Sequence, residues 1–383
     1  MRELRRYVLA LAMFTVYTAL CGPWIQFFSL YASKSLGMSM VLVSLLYSLS
    51  DGAATLGSAL SGYLCALMGY RASLAMLYGV SISSLALVLS GSAWLCALGF
   101  VAYFVGVGGA SPIVHAVTLD IIESARARGT LYALATRFAP SIAAAVTMPI
   151  GGYLMMVSGY GALALMGVAA LGLVAVIALS LTPSSPGERV SASPRESLAK
   201  LLRVATSRGF RAPIAVFAIV SACGSLTEWL MPIYFSAYGL NPLEYGISAG
   251  VSSLAIALSS LASGALVDTV GIGNSVLISS CASSALSAAM VIEPRISPIA
   301  YVLDRASLSL SSAAPALLIA SRFRSSERAI ALSVYRVATF LASMTAPIVG
   351  GALTYIDIRA PLAFKSATLA IIALMILRIA RQW

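Results

Sequence analysis

The stretch RFAPSIAAAVTMPIGG at positions 137–152 returns 199 positions later as RVATFLASMTAPIVGG at positions 336–351. In both copies an arginine precedes small and apolar residues, and a proline comes shortly before a pair of glycines. An apolar stretch of this kind is typical of a membrane-spanning helix. Its duplication indicates that the chain contains two related halves.

The composition of the 383-residue chain is that of an integral membrane protein. Hydrophobic residues make up 60% and charged residues only 10% of it, whereas a soluble domain carries about 25% charged residues. The apolar residues lie in segments of roughly 20, the length that an α-helix needs to cross the hydrocarbon core. Because backbone groups in lipid must be hydrogen-bonded within the segment, we expect an all-α fold.

Twelve membrane-spanning helices are predicted. They cover 7–30, 39–64, 72–91, 94–117, 129–157, 160–181, 212–236, 243–267, 273–292, 298–320, 329–353 and 361–380. The longest polar stretch divides them into six and six. The predicted domains are an N-terminal six-helix bundle over 1–181, a cytoplasmic linker over 182–211 and a pseudo-symmetric C-terminal bundle over 212–383.

The positions of the 24 Lys and Arg residues predict the orientation of the spans. If the N-terminus is cytoplasmic, most of them fall on the cytoplasmic side, and only Lys34, Arg295, Arg359 and Lys365 fall outside. The positive-inside rule therefore predicts a multi-pass protein of the cell membrane with both termini in the cytoplasm. The same bias explains the net charge of +11, so no nucleic-acid partner is expected.

Two loops repeat one glycine spacing. GYLCALMGYR begins at Gly62, after the second span, and GALVDTVGIG begins at Gly264, after the eighth. With twelve spans, a six-plus-six division and a basic central loop, the chain resembles the major facilitator superfamily over nearly its whole length. The resemblance implies two bundles around a central cavity and transport by alternating access.

The family's loop signature is Gly-x-x-x-Asp-[Arg/Lys]-x-Gly-[Arg/Lys]-[Arg/Lys], and each loop matches it in part. The matching positions, which the resemblance implies are gating positions, are Gly62, Gly69, Arg71, Gly264, Asp268 and Gly271. The first loop has Ala66 and Leu67 where the acid and base belong. The family's charged cytoplasmic latch is therefore in doubt for the N-terminal half.

The repeated stretches 137–152 and 336–351 both end in a proline followed closely by two glycines. These ends resemble the family's helix 5 motif and its helix 11 counterpart. Glycines let neighbouring helices approach closely, and a proline bends a helix. The residues concerned are Pro149, Gly151, Gly152, Pro347, Gly350 and Gly351. Tight packing and a hinge role are both open for them.

Six ionisable residues lie well inside the predicted spans. A charge near the bilayer centre costs on the order of 2.5–3.5 kcal/mol on insertion scales, so these side chains should face a bundle interior and have partners. The six, our candidates for substrate binding and proton coupling, are Asp51, Arg137, Glu228, Asp304, Arg305 and Arg336.

Partners can be assigned to these charges as hypotheses. In the family, helix 2 packs against helix 11, which suggests an Asp51–Arg336 pair between the halves. Arg137 has no matching acid in helix 8 and could bind an anionic group of the substrate. For both arginines the alternative is structural pairing within their own half.

A second set of hypotheses concerns helices 7 and 10. A Glu228–Arg305 contact would leave Asp304 as a candidate proton carrier, because burial disfavours the charged form of a carboxyl. The alternative is a satisfied internal ion pair with no role in transport. His115 and Gln26 are further candidates, although a single histidine in an apolar helix is more often a hydrogen-bonded packing residue.

The leading functional prediction is a proton-coupled secondary transporter of a small solute. The alternative is an energy-independent facilitator or exchanger of an organic anion, with a site built from intramembrane arginines. The chain has no Walker A loop, no HExxH and no GxSxG, which argues against ATP binding by that route and against an enzyme. No metal or cofactor site is expected, and the protein is predicted to be a monomer in the lipid bilayer.

Overall fold

A computed structural model describes residues 2–122, 131–132, 134–182, 210–323 and 325–379. Every regular element in this part of the chain is a helix. Eleven of its helices are long and apolar enough to cross a membrane, and a bent pair of shorter helices makes a twelfth candidate span. The predicted all-α membrane fold is therefore confirmed.

The spans lie close to the predicted segments. We label them α1 (Glu3–Lys34), α2 (Met40–Cys65), α3 (Leu67–Val88), α4 (Ala93–Ile121), α5 (Leu134–Val157), α6 (Tyr160–Leu181), α7 (Arg211–Glu228 with Met231–Ala237), α8 (Pro242–Val270), α9 (Ile272–Ile292), α10 (Pro294–Ile319), α11 (Val334–Leu353) and α12 (Ala360–Arg378).

Several spans are not regular α-helices along their whole length. α1 contains the π-helical turn Tyr17–Cys21, and α5 begins with a second one, Leu134–Phe138. α10 is built from the 3-10 turn Pro294–Ile296, the helix Ser297–Ser309 and most of the helix Ala314–Arg322. Such interruptions are frequent at functional sites because they redirect side chains and free backbone groups.

The described residues form two compact units. Unit 1 contains those within 1–189 together with Gly239–Leu254, and unit 2 contains those within 190–238 and 255–383. The first part of α8 thus groups with unit 1, where a Cβ atom at Gly246 would lie 2.6 Å from the Met148 carbonyl oxygen. The predicted linker lies almost wholly outside the described residues.

The internal repeat extends to backbone conformation. Gly37 and Gly239 have φ angles of +64° and +80°, and Gly69 and Gly271 have φ angles of +79° and +85°. Both pairs are 202 positions apart along the chain. Only glycine adopts such positive φ angles without strain, so the two halves share the geometry of their turns as well as their motifs.

Unit 1 depends on close helix contacts and an aromatic core. A Cβ atom at Gly108 of α4 would lie 2.3 Å from the Ala54 carbonyl oxygen of α2, so these helices meet backbone to backbone. Phe28 of α1 stacks on Phe100 of α4 with ring centroids 3.7 Å apart. Trp24, fully buried, lies edge-on to Phe100.

Unit 2 combines close contacts with buried hydroxyls. A Cβ atom at Gly350 of α11 would lie 2.5 Å from the Leu226 carbonyl oxygen of α7. α9 carries a row of fully buried serines at intervals of four residues, which puts them on one face of the helix. They are Ser275, Ser279, Ser283 and Ser287.

Candidate functional site

The candidate site of unit 2 is centred on a break in α7. The helix Arg211–Glu228 ends there, and Met231–Ala237 begins at an angle of 45° to it. Pro232 explains the break in part, because it has no N–H to donate to the Glu228 carbonyl oxygen four residues earlier. Broken helices of this kind form the binding sites of many secondary transporters.

Glu228 forms an ion pair at this break. Arg305 of α10 donates from Nη2 to Glu228 Oε1 over 3.0 Å, which confirms the predicted contact. About a quarter of the Arg305 side chain (24%) and 38% of the Glu228 side chain are exposed. This pair is therefore only partly buried.

Asp304 forms a second, fully buried ion pair. Lys365 of α12 donates from Nζ to Asp304 Oδ2 over 2.6 Å, and the two side chains are only 2% and 3% exposed. The Ser283 hydroxyl of α9 donates to the other carboxylate oxygen, Oδ1. Both oxygens of this carboxylate are therefore hydrogen-bonded inside the protein.

This second pair was not predicted from the sequence. Lys365 was counted among the positive charges on the outer side, and Asp304 was named as a candidate proton carrier, with an internal ion pair as the alternative. In the structure α12 begins at Ala360, so Lys365 lies more than a turn inside the helix, with its side chain turned into unit 2. The available signal was that Lys365 already fell within the predicted span 361–380.

A small cavity connects the two ion pairs. It measures about 10 Å³, enough for roughly one water molecule. Its lining residues are Gly224, Thr227, Glu228, Met231, Met290, Tyr301, Asp304, Arg305, Leu308 and Lys365. All four charged groups thus border one space, which a water molecule fits and an organic solute does not.

Serine hydroxyls fix the helices around the buried pair. The Ser284 hydroxyl of α9 donates to the Ser366 carbonyl oxygen of α12 over 2.8 Å, and the Ser366 hydroxyl returns the bond over 2.9 Å. These residues adjoin Ser283 and Lys365 in sequence. These serines are not distinctive in the sequence, because serine is common throughout the apolar segments.

The candidate charges on α2, α5 and α11 are not among the residues that line this cavity. Arg137 lies in the π-helical turn of α5 with an exposed side chain, and it forms no ion pair with any other residue that the structure describes. Arg336 is exposed on α11, and Asp51 is half-buried on α2. Asp51 belongs to unit 1 and Arg336 to unit 2, so their pairing stays a prediction.

The two polar candidates of unit 1 have tyrosine partners. His115 Nδ1 and the Tyr132 hydroxyl are 2.7 Å apart, as expected for a hydrogen-bonded packing residue. The Tyr245 hydroxyl of α8 donates to Gln26 Oε1 of α1 over 2.9 Å. Neither tyrosine could be singled out from sequence, because each contact joins two different helical segments.

The repeated loop residues occupy matching places. Gly69 lies in the first turn of α3 as a kink, and Gly271 lies between α8 and α9, both with positive φ. Gly62 and Gly264 lie within α2 and α8, Asp268 lies near the end of α8, and Arg71 is exposed in the first turns of α3. Their gating role stays a prediction.

The glycines of the opening motifs make close helix contacts. A Cβ atom at Gly151 would lie 2.6 Å from Pro23, and one at Gly152 would lie 2.4 Å from the Pro242 carbonyl oxygen. Gly350 makes the corresponding approach in unit 2, while Gly351 is buried. Pro149 and Pro347 lie inside their helices. These contacts support the packing role, and a hinge role stays untested.

Comparison with protein families gives one match to most of the chain. The family model described as Major Facilitator Superfamily matches residues 8–311. The comparison with curated protein sequences gave no match.

Solved transporter structures share the fold. The nucleoside transporter NupG superposes with a TM-score of 0.82 at 13% identity, over 98% of both chains. A bacterial homologue of the iron transporter ferroportin gives 0.76 at 15% identity over 98% of both chains. The POT family transporter PepTSo gives 0.73 at 11% identity, again over 98% of both chains.

Proposed function

Because the chain belongs to the major facilitator superfamily, we propose that it is a proton-coupled secondary transporter that moves a small solute across the cell membrane by alternating access. The observation that carries this proposal is the pair of Glu228 and Arg305 at the break in α7. A half-exposed ion pair in a broken span combines a titratable acid with a cation that a solute can reach.

The chemistry of this pair suggests how proton and solute binding are coupled. Protonation of Glu228 removes the negative charge that holds Arg305, and the guanidinium then has donors available for an anionic or polar group of the solute. Deprotonation restores the pair and expels that group. Because the proton and the solute both act on the same ion pair, each favours the binding of the other.

Glu228→Gln tests the proposal. Purified protein in proteoliposomes would be assayed for solute flux with and without an imposed pH gradient. We expect the variant to lose the stimulation by the gradient, because glutamine cannot exchange a proton. An unchanged pH dependence would refute the role of Glu228.

Asp357→Asn is a matched control for this assay. Asp357 is paired with Arg359 at 3.1 Å in the turn between α11 and α12. Hydrogen bonds from Arg359 lower the pKa of Asp357 below its usual range, so this carboxylate stays charged between pH 5 and pH 8. The control variant should keep the pH dependence of the unaltered protein.

The solute has to be found by screening. Thermal-shift measurements on purified protein against metabolites, drugs and anions would come first, with nucleosides and peptides in the panel because the similar structures include a nucleoside transporter and POT family transporters. Proteoliposome flux would then establish coupling and direction. Both termini are proposed to lie in the cytoplasm, and the protein is proposed to act as a monomer.

The second candidate function is an energy-independent facilitator or exchanger of an organic anion. The observation in its favour is that Arg137 and Arg336, the first residues of the two repeated motifs, both have exposed side chains. Flux that depends on the anion but not on pH would favour this function. Flux that Arg137→Gln and Arg336→Gln leave unchanged would count against it.

A further inference from the structure

Asp304 and Arg305 are consecutive residues of α10 with opposite charges and different partners. Asp304 bonds to Lys365 of α12 and Ser283 of α9, whereas Arg305 bonds to Glu228 of α7. Both carboxylates border the same small cavity as Arg305. Asp304 is therefore a second carboxylate that can compete with Glu228 for the guanidinium.

The two ion pairs differ in burial. The side chains of Asp304 and Lys365 are 3% and 2% exposed, while those of Glu228 and Arg305 are 38% and 24% exposed. Ser283 saturates the second oxygen of Asp304. The buried pair is thus expected to stay intact, and the partly exposed pair is the one that a proton or solute can break.

The charges around the cavity balance. The groups that border the cavity together with Lys365 are Asp304, Arg305 and Tyr301 of α10 and Glu228 of α7. The Cys223 thiol of α7 is close enough to interact electrostatically with Lys365. Without the lysine, one guanidinium would face two carboxylates.

We propose that Lys365 is a positioning residue of the transport site: it is the fixed counter-ion of Asp304, and it thereby keeps Arg305 available to Glu228 alone. This inference rests on the proposed function of the Glu228–Arg305 pair. Its consequence is that the proton coupling depends on Lys365, although Lys365 touches neither Glu228 nor the solute. The neutral double variant Asp304→Asn with Lys365→Met should need no such counter-ion.

The test compares Lys365→Met with that double variant in the proteoliposome assay. We expect Lys365→Met to lower pH-driven flux about tenfold or more, since removing one partner of a buried pair leaves an uncompensated charge, and to change the pH profile of the remaining flux. The double variant should recover the pH profile of the unaltered protein. If Lys365→Met does not fold, the double variant can still be assayed because it buries no unpaired charge. Loss of its pH-driven flux would then overturn the inference.

A chemical readout that does not depend on transport completes the test. A hydrophobic carbodiimide adds to protonated carboxyls in apolar sites, and mass spectrometry of peptides locates the adduct. Glu228 should be more reactive in Lys365→Met than in the unaltered protein, because Asp304 then competes with it for Arg305.

Three outcomes would overturn the inference: an unchanged pH profile in Lys365→Met, a double variant that folds but lacks pH-driven flux, or equal labelling of Glu228 with and without the lysine. A failure of the proposed function would look different. It would appear as an unchanged pH dependence in Glu228→Gln.

Discussion

Gly152 lies so close to Pro242 that a Cβ atom on the glycine would be 2.4 Å from the proline carbonyl oxygen. The atoms that such a Cβ atom would meet belong to the backbone, and Leu243 Cα would lie only 2.9 Å from it. This contact joins the end of a repeated motif to the first turn of α8. It explains in steric terms why a glycine stands at this position.

Gly152→Val should therefore destabilise unit 1. Side chains that overfill a packed site typically cost about 1–3 kcal/mol, and here the neighbouring backbone cannot rotate away. The thermal unfolding midpoint in detergent would measure the loss. Gly161→Ala is the matched control, because a Cβ atom at this helical position of α6 meets nothing within 4 Å; its midpoint should stay the same or rise.

The positive φ angles of Gly69 and Gly271 predict a symmetric effect. An L-residue in the left-handed region costs roughly 1–2 kcal/mol, so Gly69→Ala and Gly271→Ala should lower stability by similar amounts. Gly264→Ala is the control, since Gly264 lies inside α8 with open space around it. Equal thermal unfolding midpoints for all three variants would contradict this explanation of the two glycine positions.

The Asp304–Lys365 pair predicts a strong thermodynamic coupling. Asp304→Asn or Lys365→Met alone should lower the free energy of unfolding by about 3–5 kcal/mol, because each change leaves part of a buried pair unsatisfied. The double variant should recover most of that loss. Purely additive effects in this double-mutant cycle would show that the contact contributes little. The exposed pair Asp357 and Arg359 should give almost no change in the same measurement.

The hydrogen bond from Tyr245 to Gln26 predicts a smaller effect. Tyr245 is almost fully buried, and Tyr245→Phe removes a donor while keeping the ring, which should cost about 1 kcal/mol. Tyr153→Phe, at an exposed tyrosine of α5, should cost nothing measurable. An equal shift in both variants would point to a general effect of losing a hydroxyl.

The sequence predicted more of the fold than of the site. Segment length and hydropathy place the twelve spans within a few residues, because a helix in lipid must satisfy its own backbone and needs a minimum length to cross. The repeated glycines predict the matching turns, since the conformation at Gly69 and Gly271 is one that other residues rarely adopt. The contact of Glu228 with Arg305 also followed from charge and depth.

Only the tertiary structure revealed the partner of Asp304. Sequence position shows that Lys365 is near the start of a span, but not whether its side chain turns towards the neighbouring headgroups or into the bundle. That choice depends on how α9, α10 and α12 pack, with Ser283 and Lys365 meeting Asp304 from two sides. Periodicity and composition are properties of one segment, whereas an ion pair between distant segments exists only once the helices are assembled.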